Sequence, residues 1–189
     1  MVLAGGGSVR FGRDKLAEPY QGLPLLHHAL LRLAETCDDV VVVLAPRADI
    51  AGLPPGLRVA FDPTPGEGPL AGLQAGLLAA ATADLVVVVG GDMPDLRTPV
   101  LREMIRVALE AGVDAVALQD GDAYRPLPCV LRPAPAADAA HSLLHAGRRR
   151  LRELLASLHT AIIDEPTWTT LDPARRTLFD IDEPGDLLL

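Results

Sequence analysis

Aromatic side chains are scarce in this sequence, at 3% of its 189 residues, and the formal net charge is −8. Proteins that bind nucleic acids usually present a basic face to the phosphate backbone, and many stack bases on aromatic rings. Both deficits therefore argue against a nucleic-acid partner. No apolar run approaches the ~20 residues that a membrane-spanning helix needs. The sequence also lacks an initial basic stretch followed by a long apolar stretch, as a secretion signal would have.

Cysteine and lysine are also rare. Cys37 and Cys129 are far apart and form no CxxC pair, which predicts reduced thiols in a cytoplasmic protein. Of the 17 basic residues, all but Lys15 are arginine. Because ammonium and guanidinium groups differ in shape and hydration, the lone lysine suggests a site that needs a compact cation. Chance is the alternative explanation.

What the sequence does contain is a regular alternation of valine-rich apolar runs with segments of helical period. This pattern predicts one α/β domain over residues 1–189, with a mostly parallel sheet that helices cover on both faces. The predicted strands are Val2–Ala4, Val40–Leu44, Arg58–Phe61, Leu85–Val89, Ala115–Leu118, Leu127–Leu131 and Thr160–Ile163.

Helices are predicted where apolar residues recur at helical spacing. One enters after Pro24, two others cover 70–81 and 99–111, and a later one carries the stripe of Leu151, Leu154, Leu155 and Leu158. The proline-rich stretches at 54–55, 63–69 and 133–135 predict loops.

The first strand runs directly into a glycine-rich loop, LAGGGSVRFGRDK, at residues 3–15. Glycines at the carboxyl end of a first strand let the backbone approach phosphates closely. The dinucleotide fingerprint GxGxxG would need glycine at position 10, which is arginine. The Walker pattern would need GK followed by Ser or Thr, whereas Lys15 follows Asp14 and precedes Leu16. Neither pattern fits, so a dehydrogenase or a P-loop enzyme is not indicated.

The loop resembles the signature LAGG…SxRxGxDK of the MobA-like nucleotidyltransferases, the superfamily that contains molybdenum cofactor guanylyltransferases. The resemblance implies a three-layer Rossmann-like nucleotidyltransferase fold with a mixed, mostly parallel sheet. It also implies that Leu3, Ala4, Gly5 and Gly6 bind the nucleoside, while Arg10 and Lys15 face the phosphates as catalytic cations.

A second segment, Asp62 followed by GEGPLAG at 66–72, resembles the GPLAG motif of the same family and the aspartate that precedes it. The resemblance places Asp62 and Gly68 in the nucleotide site. A carboxylate can accept hydrogen bonds from both N1–H and the exocyclic amine of guanine, which favours GTP. The alternative for Asp62 is a turn residue before Pro63.

A third segment, GGDMP at 90–94, ends a buried apolar run and resembles the CDMP-like metal-binding motif of the family. A carboxylate just beyond a buried strand is a common Mg²⁺ ligand, so Asp92 is predicted to be a metal ligand and a catalytic residue. The alternative for Asp92 is a turn or N-cap residue.

Near the C-terminus, FDIDEP at 179–184 resembles the family segment FxNINTPEDL, but aspartates replace both asparagines. Asp182 is predicted to be a second metal ligand beside Asp92, and a helix N-cap is its alternative role. Two segments resemble acceptor-side motifs of the family: YRPLP at 124–128 and the arginine run at 148–150. The arginine run is equally compatible with a solvated helix face.

Together these resemblances imply transfer of GMP from GTP to the phosphate of molybdopterin, with Mg²⁺ as cofactor and pyrophosphate as second product. The substrates would be GTP and a phosphorylated pterin, and a protein that delivers the cofactor is a conceivable partner. Two alternatives stay open: a nucleotidyltransferase that uses CTP or a sugar phosphate, and a catalytically silent nucleotide-binding module.

Overall fold

The computed structural model describes residues 1–5, 14–48, 50, 52–64 and 66–188. The strands and helices in chain order are β1 (Val2–Ala4), β2 (Pro19–Tyr20), β3 (Leu23–Pro24), α1 (Leu25–Ala34), β4 (Val41–Leu44), β5 (Arg58–Phe61), α2 (Pro69–Ala79), β6 (Val86–Gly90), α3 (Thr98–Ala111), β7 (Ala115–Asp120), β8 (Ala123–Leu131), α4 (Pro133–His145), α5 (Leu151–Ser157), β9 (Thr160–Ile163) and α6 (Glu165–Thr169). Short 3₁₀ turns cover Lys15–Ala17, Arg176–Leu178 and Pro184–Leu188.

Within these described ranges, seven strands form one sheet in the order β5-β4-β1-β6-β8-β7-β9. The pairs from β5 through β6 are parallel, and so is the pair of β7 with β9, whereas β8 runs antiparallel to both of its neighbours. The predicted α/β class with a mixed, mostly parallel sheet is thus confirmed.

Each face of the sheet has its own apolar core, which makes the fold three-layered. Strand residues alternate between the two faces: Val42 and Leu44 pack with α1 and α3, while Val41 and Val43 pack with α2, α4 and α5. Burying a leucine or valine side chain contributes about 1.5–3 kcal/mol. The continuous apolar runs in β4 and β6 are therefore explained by burial from both sides.

Two predicted helices are present with bounds within two residues of the prediction: α3 begins one residue before 99–111, and α2 begins one residue before 70–81 and ends two residues before it. Helix α3 has proline in its first turn and ends at Gly112, which adopts a left-handed conformation with φ of 63°. Helix α2 also begins at a proline, Pro69, preceded by Gly68. Proline suits this position because the first amides of a helix have no intrahelical partner.

The prediction of a loop at 133–135 is wrong, because α4 begins at Pro133. Pro133 and Pro135 both lie in the first turn, where the missing amide hydrogens cost nothing. Strand β8 begins at Ala123, four residues before the predicted start. The short antiparallel ribbon of β2 and β3 was not predicted.

Three parallel strands of the sheet end at one edge, followed by Gly5, Ala45 and Asp62, and β6 ends at Gly90 just before Asp92. Because β8 runs the other way, its first residues reach the same edge: Ala123 pairs with Asp120 at the end of β7. Ligands of open α/β sheets bind at this edge. In the described part of the chain, no helix is long and apolar enough to span a membrane.

Candidate active site

Lys15 and Asp92 meet at the carboxyl edge of the sheet, although 77 residues separate them in sequence. Lys15 Nζ donates to Asp92 Oδ2 at 2.8 Å and to the Ile181 carbonyl oxygen at 2.7 Å. Asp182 Oδ1 lies 3.7 Å from the same ammonium. Three of the residues that the sequence singles out, Lys15, Asp92 and Asp182, are thus brought together around one cation.

The Lys15 side chain is the most covered of the three, Asp92 is more exposed, and Asp182 is the most exposed. The exposed fractions of the side chains are 15% for Lys15, 29% for Asp92 and 56% for Asp182. Lys15 begins a 3₁₀ turn whose N-cap is Asp14, which accepts from Leu16 N at 3.0 Å. The turn fixes the start of the lysine side chain, and both carboxylate side chains keep part of their surface open to solvent.

Glycines hold Asp92 in place. Gly91 N donates to the Leu3 carbonyl oxygen at 2.9 Å, which ties the turn after β6 to β1. A Cβ atom added at Gly90 would overlap Asp92 Oδ1, whereas one at Gly91 would meet only the ends of Leu26 and Leu16, at 3.1 and 3.3 Å. The Asp92 carboxylate therefore lies directly against the backbone of Gly90.

The segment at 178–182 completes this cluster from the C-terminal part of the chain. Ile181 is fully buried beside Tyr20 and Leu25, and its amide donates to the Asp92 carbonyl oxygen at 3.0 Å. Backbone bonds from one residue thus reach both Lys15 and Asp92. Asp186 accepts from the Asp182 and Glu183 amides at 2.9 and 2.8 Å, and these bonds lower its pKa.

Asp62 lies at the same edge but belongs to a different neighbourhood. Its side chain is buried, and Oδ1 accepts from Thr64 N at 2.9 Å. Cβ atoms added at Gly5 and Gly72 would lie 3.6 and 3.5 Å from Asp62 Cβ. The turn role, which is the alternative for Asp62, is thus present in the structure, and the second carboxylate oxygen is not needed for it.

Gly68 stands at the start of α2 with φ of 103°. A Cβ atom there would approach the Arg149 carbonyl oxygen to 3.1 Å, so both conformation and space require glycine. Leu3 and Ala4 lie in β1 and Gly5 follows it. Gly6 and Arg10, also predicted to bind the nucleotide, lie outside the described residues.

The three arginines at 148–150 do not form one cluster, because their side chains have different partners. Arg149 Nε lies 3.3 Å from Glu67 Oε2 and Arg148 Nε lies 3.2 Å from Glu153 Oε1. Arg150 is the N-cap of α5. Of the three, Arg149 is the one beside Gly68, so it alone borders the loop before α2.

Sequence reasoning assigned no individual role to two arginines that act on this edge. Arg176 Nε donates to Asp95 Oδ2 at 2.8 Å, and Tyr20 OH donates to the same oxygen at 3.3 Å. Burial, followed by the charge of Asp95, raises the pKa of Tyr20. This cluster ties the residues after Asp92 to β2 and to the C-terminal part of the chain. The contacting residues are 75 to 81 positions apart in the sequence, so no local sequence pattern could predict these contacts.

The second arginine is Arg125, near the start of β8. Its Nη2 lies 3.5 Å from Asp180 Oδ1 and its Nη1 lies 3.8 Å from Asp120 Oδ2. Burial is the main cause that raises the pKa of the Asp180 carboxyl. Arg125 lowers that pKa, and the charges of Asp182 and Asp92 raise it further. Asp180 therefore belongs to the same electrostatic neighbourhood as the Lys15 cluster.

Among the residues described by the structure, no group of three or more His, Cys, Asp or Glu side chains is arranged to hold a metal ion. The donors near Lys15 are nonetheless carboxylate oxygens, the type that Mg²⁺ prefers. Mg²⁺ usually takes only one or two protein carboxylates and completes its shell with water and substrate phosphates. Asp92 and Asp182 fit that pattern.

Comparisons with known proteins identify the family of this chain. Residues 1–161 match the family described as the MobA-like NTP transferase domain. A probable molybdenum cofactor guanylyltransferase of Mycobacterium tuberculosis is 37% identical over 160 residues, which are 82% of this chain and 77% of the relative. A protein of the same description from Chloroflexus aggregans is 31% identical over 194 residues, covering 100% of this chain and 91% of the relative.

Among solved structures, the molybdopterin-guanine dinucleotide biosynthesis protein A of Archaeoglobus fulgidus has the same fold, with a TM-score of 0.81. The likeness covers 99% of this chain and 93% of that chain, at 24% sequence identity. The three-layer nucleotidyltransferase fold implied by the sequence motifs is thereby confirmed.

Proposed function

Because this chain belongs to the MobA-like NTP transferase family, we propose that it transfers the GMP unit of GTP to the phosphate of molybdopterin and releases pyrophosphate. The observation that carries the proposal is the 2.8 Å contact between Lys15 and Asp92. It brings Lys15, which is predicted to face the phosphates, onto the carboxylate that is predicted to hold the metal. The names of the relatives at 37% and 31% identity support the choice of GTP and of the acceptor.

In this proposal guanosine lies against Leu3, Ala4 and Gly5, beside Asp62. Support comes from the small residues around Asp62: neither Gly5 nor Gly72 places a side chain against the carboxylate. One Asp62 oxygen accepts the Thr64 amide, and the other would accept from the Watson–Crick edge of guanine. Cytosine and adenine do not present the paired donors of guanine N1–H and N2–H.

The chemical step needs charge stabilisation more than a protein base. An oxygen of the molybdopterin phosphate is already anionic, so it would attack the α-phosphorus of GTP without losing a proton to the protein. The new P–O bond forms as the bond between the α-phosphorus and the bridging oxygen breaks, and that oxygen leaves with pyrophosphate. Lys15 would offset the charge on the leaving group, and the sequence resemblance assigns the same role to Arg10.

Asp92 and Asp182 would hold Mg²⁺ in this scheme. When bound, the ion would neutralise phosphate oxygens and orient them for in-line displacement. Lys15 lies within 3.7 Å of both carboxylates and holds them near each other. The scheme treats residues 1–189 as one cytoplasmic domain, with a cofactor-delivering protein as a further candidate partner.

The test is release of pyrophosphate by the purified protein with GTP, molybdopterin and Mg²⁺. We expect turnover that needs all three components, with formation of the guanine dinucleotide checked by mass spectrometry. Thermal shifts with GTP, CTP and ATP test which nucleobase the site prefers, since a specific ligand raises the melting temperature by mass action. Stabilisation by CTP but not by GTP would contradict the choice of base. Binding of GTP without any pyrophosphate release would instead favour a silent nucleotide-binding module.

A further inference from the structure

The segment Phe179–Pro184 carries aspartates at 180 and 182, and the Asp180 carboxylate has no part in the function proposed above. Ile181 lies between the two aspartates and is fully buried. Alternate residues of an extended segment point to the same side, so Asp180 and Asp182 both face away from the core. Their carboxylates add negative charge beside Asp92, at the place where the triphosphate would bind.

Arg125 lies where it offsets that charge. It pairs with Leu118 in the β7–β8 register, close to the edge where β7 ends. Its Nη2 contacts Asp180 Oδ1 at 3.5 Å and the Leu178 carbonyl oxygen at 3.4 Å. Two contacts to one short segment place the guanidinium over the chain that leads to Ile181 and Asp182.

We propose that Arg125 and Asp180 form a compensating pair that sets how strongly the site attracts polyphosphate. The inference rests on the function proposed above, but it concerns the charge of the site and is independent of the nucleobase or the acceptor. Arg125 is a positioning residue here: it cancels the charge of Asp180, so that Lys15 is not outweighed by three carboxylates. Arg125 also contacts Asp120 at 3.8 Å, and Asp120 in turn contacts Arg175. On the other side of the pair, the charges of Asp182 and Asp92 act on Asp180.

The pair predicts effects of opposite sign for its two members. Arg125→Gln leaves the Asp180 carboxylate uncompensated and should weaken polyphosphate binding about threefold to tenfold at low salt. Asp180→Asn removes one carboxylate charge and leaves Arg125 with Asp120 as its remaining carboxylate contact, so it should strengthen polyphosphate binding by up to about threefold. The double variant restores the original balance of charge and should bind within about twofold of the unchanged protein.

The experiment measures the dissociation constant of inorganic tripolyphosphate in the presence of Mg²⁺, by calorimetry at low and high salt. The KM values for GTP and molybdopterin are measured in parallel. Arg106→Gln is the matched control, because Arg106 lies in the second half of α3, toward the opposite edge of the sheet, and pairs only with Glu103 and Glu110 among the described residues. It changes the net charge by the same amount and should leave binding unchanged.

Recovery in the double variant, together with a defect that shrinks at high salt, would support the compensating pair. Loss in both single variants and greater loss in the double would mean that Arg125 only holds Leu178, which overturns the inference. A defect confined to the KM for molybdopterin would also overturn it, because Arg125 would then bind the acceptor directly. The two single variants could change tripolyphosphate affinity in opposite directions while the protein shows no guanylyl transfer. That result would support the compensating pair and reject the proposed function.

Discussion

Two sides of the candidate site are built by different means. The glycine-lined side consists of Gly5, Asp62, Gly68 and Gly72, and the ion-paired side consists of Asp95, Arg125, Arg176, Asp180 and Asp182. On the first side, the neighbours of Asp62 include two glycines, and Cβ atoms added at Gly5 and Gly72 would come within 3.6 and 3.5 Å of Asp62 Cβ. On the second side, arginines and aspartates from distant parts of the chain contact each other.

The difference teaches that the two sides should respond to different changes. Added volume should damage the glycine-lined side, because a ligand must approach the backbone there. Altered charge should damage the ion-paired side, because its geometry depends on compensation. Lys15 touches the ion-paired side through Asp182 and reaches Asp92 between the two.

The largest effect is expected at Lys15, because its ammonium contacts both carboxylates that are predicted to hold the metal. Lys15→Ala should lower kcat about 100- to 1,000-fold, the usual cost of removing one donor that stabilises developing charge. Lys15→Arg should recover only part of the activity, since the planar guanidinium cannot occupy the same covered position. Pyrophosphate release measures both variants, and circular dichroism checks their folding. Near-normal turnover of Lys15→Ala would contradict the assignment.

The next largest effect tests volume without changing charge. In Gly90→Ala the new methyl group would displace the Asp92 carboxylate, so we expect kcat/KM to fall about tenfold to 100-fold, as misplacement of a catalytic group does. Gly91→Ala is the matched control, since its methyl group meets only flexible leucine ends. Equal loss in both variants, with equal loss of thermal stability, would mean that the glycines serve packing alone.

A smaller effect is expected on the choice of nucleobase when Asp62 is changed. Asp62→Asn replaces one acceptor by a donor, and each paired contact to a base edge contributes about 1–3 kcal/mol of discrimination. The preference for GTP over CTP should therefore fall about tenfold or more, measured by the ratio of kcat/KM values. Asp39→Asn removes the same charge from an exposed partner of Arg58 and serves as control. An unchanged preference would leave Asp62 as a turn residue only.

The glycine-lined side was also the more predictable from sequence. Gly68, Gly72 and Asp62 follow β5 within a short motif, so a local pattern in the amino-acid sequence is enough to identify them. The valine runs of β4 and β6 were predictable for a similar reason, because burial on both faces leaves a continuous apolar signal. Structure formed by residues that are close in the sequence can be predicted from a short stretch of that sequence.

The ion-paired side could not be predicted in the same way. Arg176 and Asp95 are 81 residues apart. In a sequence with many arginines, nothing indicates which acidic residue a given arginine contacts. Strand β8 was predicted too short because its first residues, Ala123 to Pro126, are half polar and only partly buried. Arg125 lies in that missed part. Helix α4 (Pro133–His145) was missed altogether, because two prolines in its first turn look like a loop.

The smallest effect on activity, and the clearest effect on stability, is expected at Asp95. Asp95→Asn keeps an acceptor for Tyr20 but leaves the largely covered Arg176 guanidinium without its counter-charge, so unfolding should cost about 1–3 kcal/mol less. Activity should fall by less than about threefold, because backbone bonds from Gly91 and Ile181 still hold the turn at Asp92.

Chemical denaturation at low and high salt measures the loss of stability in Asp95→Asn, with Arg106→Gln as the surface comparison. A partly buried pair is screened little, so the Asp95→Asn loss should persist at high salt, whereas any loss in Arg106→Gln should fade. If both losses fade together, the Asp95–Arg176 contact is a surface ion pair, and the ion-paired side is held instead by the packing of Ile181 against Tyr20 and Leu25.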